Sequence, residues 1–152
     1  MRKVLILQGI SGSGKTHFAN DFVARMHARS TVVSADDFFY ARGGGTYAFD
    51  PTKLGEAHRV CFSNFLAAIQ EEVAEVIVVD NTNSTAVEIA PYVLAGETFG
   101  YEVEILQVVC DPAVAAARNR HNVPEATIRA MAERIATCQM PPWWRVTRYK
   151  GS

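Results

Sequence analysis

The sequence VLILQGISGSGKT at residues 4–16 joins a short apolar run to a glycine-rich loop. The run Val4–Leu7 is continuously apolar, which is typical of a strand that is buried on both faces of a parallel sheet. The loop matches the pattern G-x-x-x-x-G-K-[ST] through Gly9, Gly14, Lys15 and Thr16. Residues 17–28 continue with apolar side chains at helical spacing. The stretch therefore predicts a strand, a phosphate-binding loop and a helix in direct succession.

The residues of this loop have different expected roles. Its glycines let successive backbone N–H groups turn towards phosphate oxygens, where a Cβ atom would crowd them. Lys15 is expected to reach the outer phosphates, and the Thr16 hydroxyl is expected to ligate Mg²⁺. The predicted nucleotide-binding residues are Gly9, Ile10, Ser11, Gly12, Ser13, Gly14, Lys15 and Thr16.

Composition and charge favour one globular domain. The chain has 152 residues, of which 49% are hydrophobic and 20% charged, and this fits a single domain over residues 1–152. The formal net charge of -1 excludes a global field that would draw the protein to nucleic acid or anionic lipid. The cysteines show no C-x-x-C spacing, and no segment approaches the ~20 apolar residues that span a bilayer. We expect a reduced, cytoplasmic protein without a membrane partner.

Strand-like and helix-like segments alternate along the chain. Further strands are predicted at Thr31–Ser34, Val76–Val79 and Val103–Val109. Helices are predicted over His17–Ala28, from Pro51 to about Ala74, after the capping pair Thr85 and Glu88, from Pro112 and from Pro124. Residues 35–50 are predicted to be a long loop with a functional role. The alternation indicates an α/β fold, with an open, mostly parallel sheet of four to five strands flanked by helices.

Acidic residues follow two of the predicted strands. In an open α/β sheet the ligand lies beyond the carboxyl ends of the strands. Asp80 ends the run VIVVD, which is the form of a carboxylate that holds Mg²⁺. Asp36 and Asp37 follow the second strand, and in extended chain they point to opposite sides, so one of them faces the phosphates. We favour Asp36 as the general base that takes a proton from an attacking hydroxyl, as a kinase requires.

Four segments together resemble a family of small P-loop kinases. They are GISGSGKT, SADDFF, VIVVDNTNSTAVEIAPYV and AARNRHNVPEATI, and the match runs from about Met1 to Ile135. The chain is similar to phage-type polynucleotide 5′-kinase and to the kinase domains of NEDD4-binding-protein-2-like proteins. This resemblance implies a P-loop NTPase fold of the kinase type, ATP and Mg²⁺ as cofactors, and Asp36 as the base that activates a 5′-hydroxyl.

The resemblance also implies a small arginine-bearing lid, which we place at residues 109–124. Arg118 matches the arginine that reaches over the phosphates and stabilises charge on the transferred group. Arg120 is a second candidate for the triphosphate, although the two side chains cannot share one helical face. Two departures from the phage enzyme concern the substrate. Ala35 replaces an arginine before the acidic pair, and the D-x-D motif of a phosphatase domain is missing.

Other residues are candidates for contact with the acceptor. Arg42 in the long loop, His58 on the apolar face of its helix and Asn81 after the third strand are predicted to bind substrate. Simple exposure is the alternative for Arg42, and a buried hydrogen bond is the alternative for His58. The tail, residues 138–152, interleaves basic and aromatic side chains. Such a segment either stacks bases and holds a single strand, or packs onto the core.

The sequence therefore predicts a kinase that transfers the γ-phosphoryl group of ATP to a hydroxyl, and the 5′-hydroxyl of DNA or RNA is the favoured acceptor. The alternatives are a kinase for a nucleoside, nucleotide sugar or antibiotic, a phage-type kinase for a hydroxymethylated base, and an ATP-binding module without transfer activity. The Asp36 carboxylate argues against the last alternative, because a passive binder needs no base. A GTPase is disfavoured, since we find no guanine-selecting N-K-x-D motif.

Overall fold

The computed structural model describes residues 2–26, 28–71 and 74–150. Within these ranges the strands are β1 (Lys3–Gln8), β2 (Ser30–Val33), β3 (Val76–Asp80), β4 (Glu102–Val109) and β5 (Val146–Lys150). The helices are α1 (Lys15–Arg25), α2 (Asp36–Arg42), α3 (Leu54–Gln70), α4 (Ala86–Thr98), α5 (Pro112–Arg118) and α6 (Glu125–Ala136). A 3-10 turn at Pro51–Lys53 precedes α3. None of the described helices is both long and apolar enough to cross a bilayer.

The strands form one sheet in the order β2-β3-β1-β4-β5. Every neighbouring pair is parallel, so the carboxyl ends of all five strands lie at the same edge. At that edge Leu7 of β1 pairs with Asp80 of β3, and Gln8 pairs with Gln107 of β4. The predicted α/β architecture with a parallel sheet of four to five strands is therefore confirmed. The glycine-rich loop leaves the sheet from β1, its central strand.

Alternate side chains of β1 enter two different cores. Val4 and Ile6 pack on the face covered by α3 and α4, where Phe65 and Ile89 are fully buried. Leu5 and Leu7 pack on the other face, in a cluster with Ala19 and with Phe18 and Phe22 of α1. A fully buried large apolar side chain stabilises a fold by ~1.5–3 kcal/mol. The sheet is therefore held from both sides, and this fixes the loops at its carboxyl edge.

Residues 35–50, which were predicted to be a loop, contain the helix α2. Asp36 and Asp37 lie in its first turn, where acidic side chains favour helix formation. Phe39 is 1% exposed and anchors the helix in the core. The prediction that Asp36 and Asp37 lie in extended chain is wrong. The two carboxylates still diverge, because successive residues of a helix are turned by ~100°.

The predicted helix start signals are confirmed by hydrogen bonds. The Asp50 carboxylate accepts from the Thr52 N–H (2.9 Å) at the 3-10 turn before α3. The Thr85 hydroxyl oxygen accepts from the Glu88 N–H (3.3 Å) at α4. In the same way, the N–H of Ala113 in α5 donates to the Asp111 carboxylate (2.8 Å).

Predicted helix lengths were less accurate than the starts. Helix α1 begins at Lys15 instead of His17, because the end of the glycine-rich loop forms its first turn. Helix α1 ends at Arg25, and α3 ends at Gln70. The predicted continuations over residue 27 and residues 72–73 lie outside the described residues.

The tail is part of the sheet. Its residues 146–150 form β5, which pairs with β4 and is one edge of the sheet, at the opposite end from β2. Trp144 packs against the core, whereas Trp143 is 80% exposed. Arg145 precedes the strand and binds the Glu102 carboxylate (2.6 Å). The amino end of β5, with Trp143 and Arg145, therefore lies at the edge away from the glycine-rich loop.

Candidate nucleotide-binding and phosphoryl-transfer site

The loop between β1 and α1 needs glycine at three positions. Gly12 and Gly14 have φ values of 81° and 97°, in the left-handed region that side chains disfavour. A Cβ atom on Gly12 would also collide with the carbonyl oxygen of Ala115 in α5. A Cβ atom on Gly9 would lie 2.9 Å from the Ser13 Oγ. Gly12, which the sequence pattern leaves free, is therefore as constrained as the two glycines that define the pattern.

Lys15 and Ser13 place polar groups inside the loop. Lys15 is 9% exposed, and its Nζ donates to the Ile10 carbonyl oxygen (2.9 Å). Burial lowers the pKa of Lys15, while the Asp80 and Asp36 carboxylates act in the opposite direction. The Ser13 Oγ is buried and has no hydrogen-bond partner among the described residues. Together with the N–H groups of the first turn of α1, these groups fit the phosphates of a nucleotide.

Thr16 and Asp80 bring two oxygens together at the carboxyl edge of the sheet. The Thr16 hydroxyl donates to the Asp80 Oδ2 (2.8 Å), and Asp80 is only 6% exposed. Burial raises the pKa of Asp80, and the charge of Lys15 and the Thr16 hydrogen bond partly offset this effect. Mg²⁺ in nucleotide sites is usually held by one or two protein oxygens together with phosphates and waters. Thr16 and Asp80 fit that donor set, and Mg²⁺ would favour the ionised form of Asp80.

Asp36 is a second carboxylate near the loop, and it is separate from the Thr16–Asp80 pair. Its charge contributes to the pKa of both Lys15 and Asp80, so it lies within electrostatic reach of the phosphate-binding residues. Asp37 lines a groove beside β2 and α3. Burial raises the pKa of Asp37, and the neighbouring Asp36 charge adds to that rise. The Asp80 charge also raises the pKa of Asp37, so both acids lie near Asp80, and the assignment of Asp36 as the acid that faces the phosphates stays a prediction.

The Asn81 side chain joins segments that surround the site. Its Oδ1 accepts from the Ala35 N–H (2.8 Å), and its Nδ2 donates to the Cys61 Sγ (3.5 Å). Asn81 is 7% exposed. Both ends of the amide are thus used to join β3, α3 and the start of α2. The structure gives Asn81 this structural role, and its contact with substrate stays a prediction.

Arg42 and His58, the other predicted substrate residues, lie on α2 and α3. Arg42 donates from Nη1 to the Ala48 carbonyl oxygen (3.3 Å), and its Nη2 is 3.5 Å from the Asp50 carboxylate. It therefore braces the segment after α2. His58 is half-buried in the second turn of α3. Contact of either residue with substrate stays a prediction.

The predicted lid begins on a helix that packs against the glycine-rich loop. Ile10 and Ala115 of α5 are buried in one apolar cluster. Arg118, the last residue of α5, donates from Nη2 to the Cys110 Sγ (3.1 Å). Cys110 packs against the apolar cluster that contains Ile10, so Arg118 lies on the side of the glycine-rich loop. Arg120 is exposed in the following turn, and binding of the triphosphate by either arginine stays a prediction.

Three aromatic side chains that the sequence did not identify meet beside Asp36. The rings of Tyr47 and His121 are stacked, with centroids 3.7 Å apart and planes 8° apart. The Tyr40 hydroxyl and His121 Nε2 share a hydrogen bond (3.0 Å). We call Tyr40, Tyr47 and His121 the aromatic clasp. Residues 40 and 121 are 81 positions apart, so no local spacing could have revealed the clasp.

A family model and a human protein match the sequence. The model described as AAA domain matches residues 4–138. NEDD4-binding protein 2 of Homo sapiens is 32% identical over 134 residues, which are 86% of this chain and 7% of that protein. The chain therefore spans a small part of the length of this relative.

Two solved structures share the fold. A chain of the Pnkp1/Rnl/Hen1 RNA repair complex superposes with a TM-score of 0.71 and 19% identity, over 89% of this chain and 44% of that one. The APS kinase CysC of Mycobacterium tuberculosis, in complex with AMPPNP and APS, gives a TM-score of 0.64 and 16% identity, over 99% and 89% of the two chains. These identities carry information on the fold alone. From the family match over residues 4–138 and the 32% identity to the human relative, the chain belongs to the AAA-domain family.

Proposed function

We propose that this chain is a kinase that transfers the γ-phosphoryl group of ATP to a hydroxyl. The observation that carries the proposal is the position of Asp36, a carboxylate that starts α2 just after β2, at the same sheet edge as Asp80 of the neighbouring strand β3, and that stands outside the Thr16–Asp80 pair. A module that only binds a nucleotide needs no second carboxylate there. Transfer to a hydroxyl does need one, because the attacking oxygen must lose its proton.

In the proposed reaction the acceptor oxygen attacks the γ-phosphorus of ATP. A new oxygen–phosphorus bond forms, and the bond between the γ-phosphorus and the β–γ bridging oxygen breaks. The acceptor proton passes to Asp36, and ADP leaves with the electron pair of the broken bond. Lys15 and Arg118 would stabilise charge on the transferred group. Mg²⁺ held by Thr16 and Asp80 would neutralise charge on the phosphate oxygens.

The 5′-hydroxyl of DNA or RNA is the acceptor that we propose. The acidic pair after β2 and the sequence DNTN after β3 resemble polynucleotide kinases, and both now lie at one edge of the sheet. The similarity to NEDD4-binding protein 2 agrees with the resemblance to this kinase group.

A small-molecule hydroxyl is the second candidate, and the aromatic clasp favours it. The Tyr47 hydroxyl binds the Asp36 carboxylate, and His121 approaches the same carboxylate from the turn after α5, which we call the lid turn. Two segments of the chain therefore lie on either side of the candidate base. A carboxylate that is enclosed by two segments in this way suits a compact acceptor. The fold is also shared with a solved sugar kinase from Janibacter sp. HTCC2649, at a TM-score of 0.64.

A labelling panel tests both candidates. The protein is incubated with γ-labelled ATP and Mg²⁺ together with 5′-hydroxyl oligonucleotides of DNA and RNA, nucleosides, sugars and APS. Matched oligonucleotides that already carry a 5′-phosphate are the control. We expect label on the 5′-hydroxyl oligonucleotides and none on the control. Label on a small molecule instead would establish the second candidate, and no label on any acceptor would contradict the proposed transfer activity.

A further inference from the structure

The Asp36 carboxylate is held by the Tyr47 hydroxyl. The Tyr47 oxygen donates a hydrogen bond to the Asp36 Oδ1 at 3.0 Å. Burial raises the pKa of the Tyr47 phenol far above its ordinary value, and the Asp36 charge raises it further, so the phenol keeps its proton and remains a donor. A carboxylate with one oxygen fixed in this way has a defined orientation. The other oxygen, Oδ2, lies 3.9 Å from the His121 Nδ1, and we assign it to the acceptor hydroxyl.

The Tyr47 ring is in turn held by His121. The two rings lie face to face at 3.7 Å, although the residues belong to distant segments. The His121 Nε2 also shares a hydrogen bond with the Tyr40 hydroxyl (3.0 Å), which fixes the imidazole in its plane. The groups that face His121 are thus Tyr40, Tyr47 and Asp36, whose Oδ2 is 3.9 Å from Nδ1.

The position of His121 is set by a turn that begins where α5 ends. The Asn119 Oδ1 accepts from the N–H groups of His121 and Val123, both at 3.1 Å. The Asn119 Nδ2 donates to the Val123 carbonyl oxygen (2.6 Å). Helix α5 itself lies against the glycine-rich loop, because the Ala115 backbone is so close to Gly12 that a Cβ atom on Gly12 would collide with it. A continuous series of contacts therefore runs from the phosphate loop through α5 and His121 to Tyr47 and Asp36.

From these contacts, we propose that Tyr47 and His121 are positioning residues for phosphoryl transfer. Tyr47 orients the Asp36 carboxylate through its hydroxyl, and His121 keeps Tyr47 in place from the lid turn by stacking on its ring. This inference rests on the proposed function, since it takes Asp36 as the base. The predicted lid would then have a second role besides placing Arg118. Movement of the turn at His121 would leave the Asp36 carboxylate free to change its orientation.

The first test compares two tyrosine variants. Tyr47→Phe keeps the stacked ring and removes the hydroxyl that binds Asp36. Tyr101→Phe is the matched control, because it removes a hydrogen-bonded hydroxyl that binds the Ala74 carbonyl oxygen (2.8 Å) beside the amino end of β4 and lies outside the aromatic clasp. Steady-state kinetics are measured with ATP and a 5′-hydroxyl oligonucleotide, or with the small molecule that the panel labels instead. We expect Tyr47→Phe to lower kcat by about tenfold or more, as loss of a hydrogen bond to a charged group does.

The KM for ATP separates positioning from general damage. Because Tyr47 does not belong to the phosphate loop, Tyr47→Phe should leave this KM within about twofold. Tyr101→Phe should keep both constants within about twofold of the wild type. Thermal denaturation of each variant shows whether it is folded at the assay temperature. A wild-type kcat for Tyr47→Phe, or equal losses for the two tyrosine variants, would overturn the inference.

The second test asks whether His121 acts through Tyr47. His121→Ala should lower kcat in the wild-type background, and the loss should be smaller in the Tyr47→Phe background, where the Tyr47 bond to Asp36 that the stacking supports is already lost. His121→Phe keeps a stacking ring and should recover most of the kcat. Losses that multiply in the double variant would show that the two residues act separately and would contradict the proposed series of contacts.

Asp36→Asn, measured in the same series, keeps the two proposals distinguishable. If Asp36→Asn retains wild-type activity, the proposed function loses its base, and the inference fails with it. If Asp36→Asn is inactive while Tyr47→Phe and His121→Ala are unchanged, the base assignment stands and the positioning role alone is wrong.

Discussion

The phosphate side and the acceptor side of the site are built in different ways. The phosphate side is the continuous segment of residues 9–16, and its conformation is fixed by glycines and by the start of α1. The acceptor side consists of Asp36 on α2, Tyr47 on the following segment and His121 in the lid turn, which come together only in the folded chain. The comparison teaches that the candidate nucleotide site is encoded locally in the sequence, whereas the orientation of the proposed base depends on contacts between distant segments.

This difference predicts unequal sensitivity to change. A substitution in the phosphate loop acts directly on the charge or conformation that meets the nucleotide. A substitution on the acceptor side acts on the orientation of one carboxylate and should spare nucleotide binding. The predictions that follow test this division, from the largest expected effect to the smallest.

Lys15→Ala should have the largest effect, because it removes the buried ammonium from the phosphate loop. We expect transfer to fall by at least about 10²-fold and ATP binding to weaken, since loss of a group that stabilises transition-state charge has costs of this size. Isothermal titration with ATP and the labelling assay measure the two effects. Lys53→Ala is a matched control, because Lys53 is an exposed lysine that pairs with Glu56. Near wild-type transfer by Lys15→Ala would show that the loop does not bind the reacting phosphates.

Asp37→Asn should change stability and leave chemistry largely intact. Burial and the Asp36 charge raise the pKa of Asp37 above its ordinary value. The stability that depends on this group is fully present below the unfolded-state pKa and is lost as the pH rises through the folded-state pKa. The variant avoids that loss, so its Tm should exceed that of the wild type at pH 7, by less than about 3 °C because Asp37 is partly exposed.

Thermal denaturation without nucleotide, from pH 3.5 to pH 7, measures this difference. The gain in Tm should shrink as the pH falls towards the ordinary range of an aspartate, where both proteins carry a neutral side chain at position 37. A lower Tm for Asp37→Asn at pH 7 would mean that the Asp37 charge stabilises the start of α2, against the direction of its pKa shift.

The sequence predicts the phosphate side of the site better than the acceptor side. The loop, Lys15, Thr16 and Asp80 were predicted from motifs that are contiguous or end an apolar run, and the structure brings them together as expected. Helix α2 was missed because its aromatics and the three glycines that follow it resembled a loop, while the burial of Phe39 that anchors it is a tertiary effect. The aromatic clasp was missed because its members are far apart in sequence. Strand β5 was missed because VTRYK is exposed and is held by pairing with β4.

Substitutions in β5 should have the smallest effect. The sequence suggested that the basic tail could hold an oligonucleotide, but β5 and β2 are opposite edges of the sheet. Four strand spacings separate them, or about 19 Å. We therefore expect Arg148→Gln with Lys150→Gln to change the KM of a short 5′-hydroxyl oligonucleotide by less than about twofold. Arg145→Gln, at the other end of β5, is the control.

The salt dependence of this KM checks the same point. Contacts with backbone phosphates make binding fall steeply with added salt, and removing a contact reduces the slope. The wild type and the β5 variant should show the same slope. A shallower slope and a higher KM for the variant would extend the acceptor side across the whole edge of the sheet.

The most direct test of the account is the single-turnover rate of Asp36→Asn at saturating ATP. The variant keeps the size of the side chain and removes the base, so the rate of transfer should fall by about 10²–10⁴-fold, the usual contribution of a general base. The dissociation constant for ATP should stay within a few fold of the wild type, because Asp36 lies outside the phosphate loop. A wild-type rate, or a loss of ATP binding as large as the loss of rate, would contradict the division between the two sides and the assignment of Asp36 as the base.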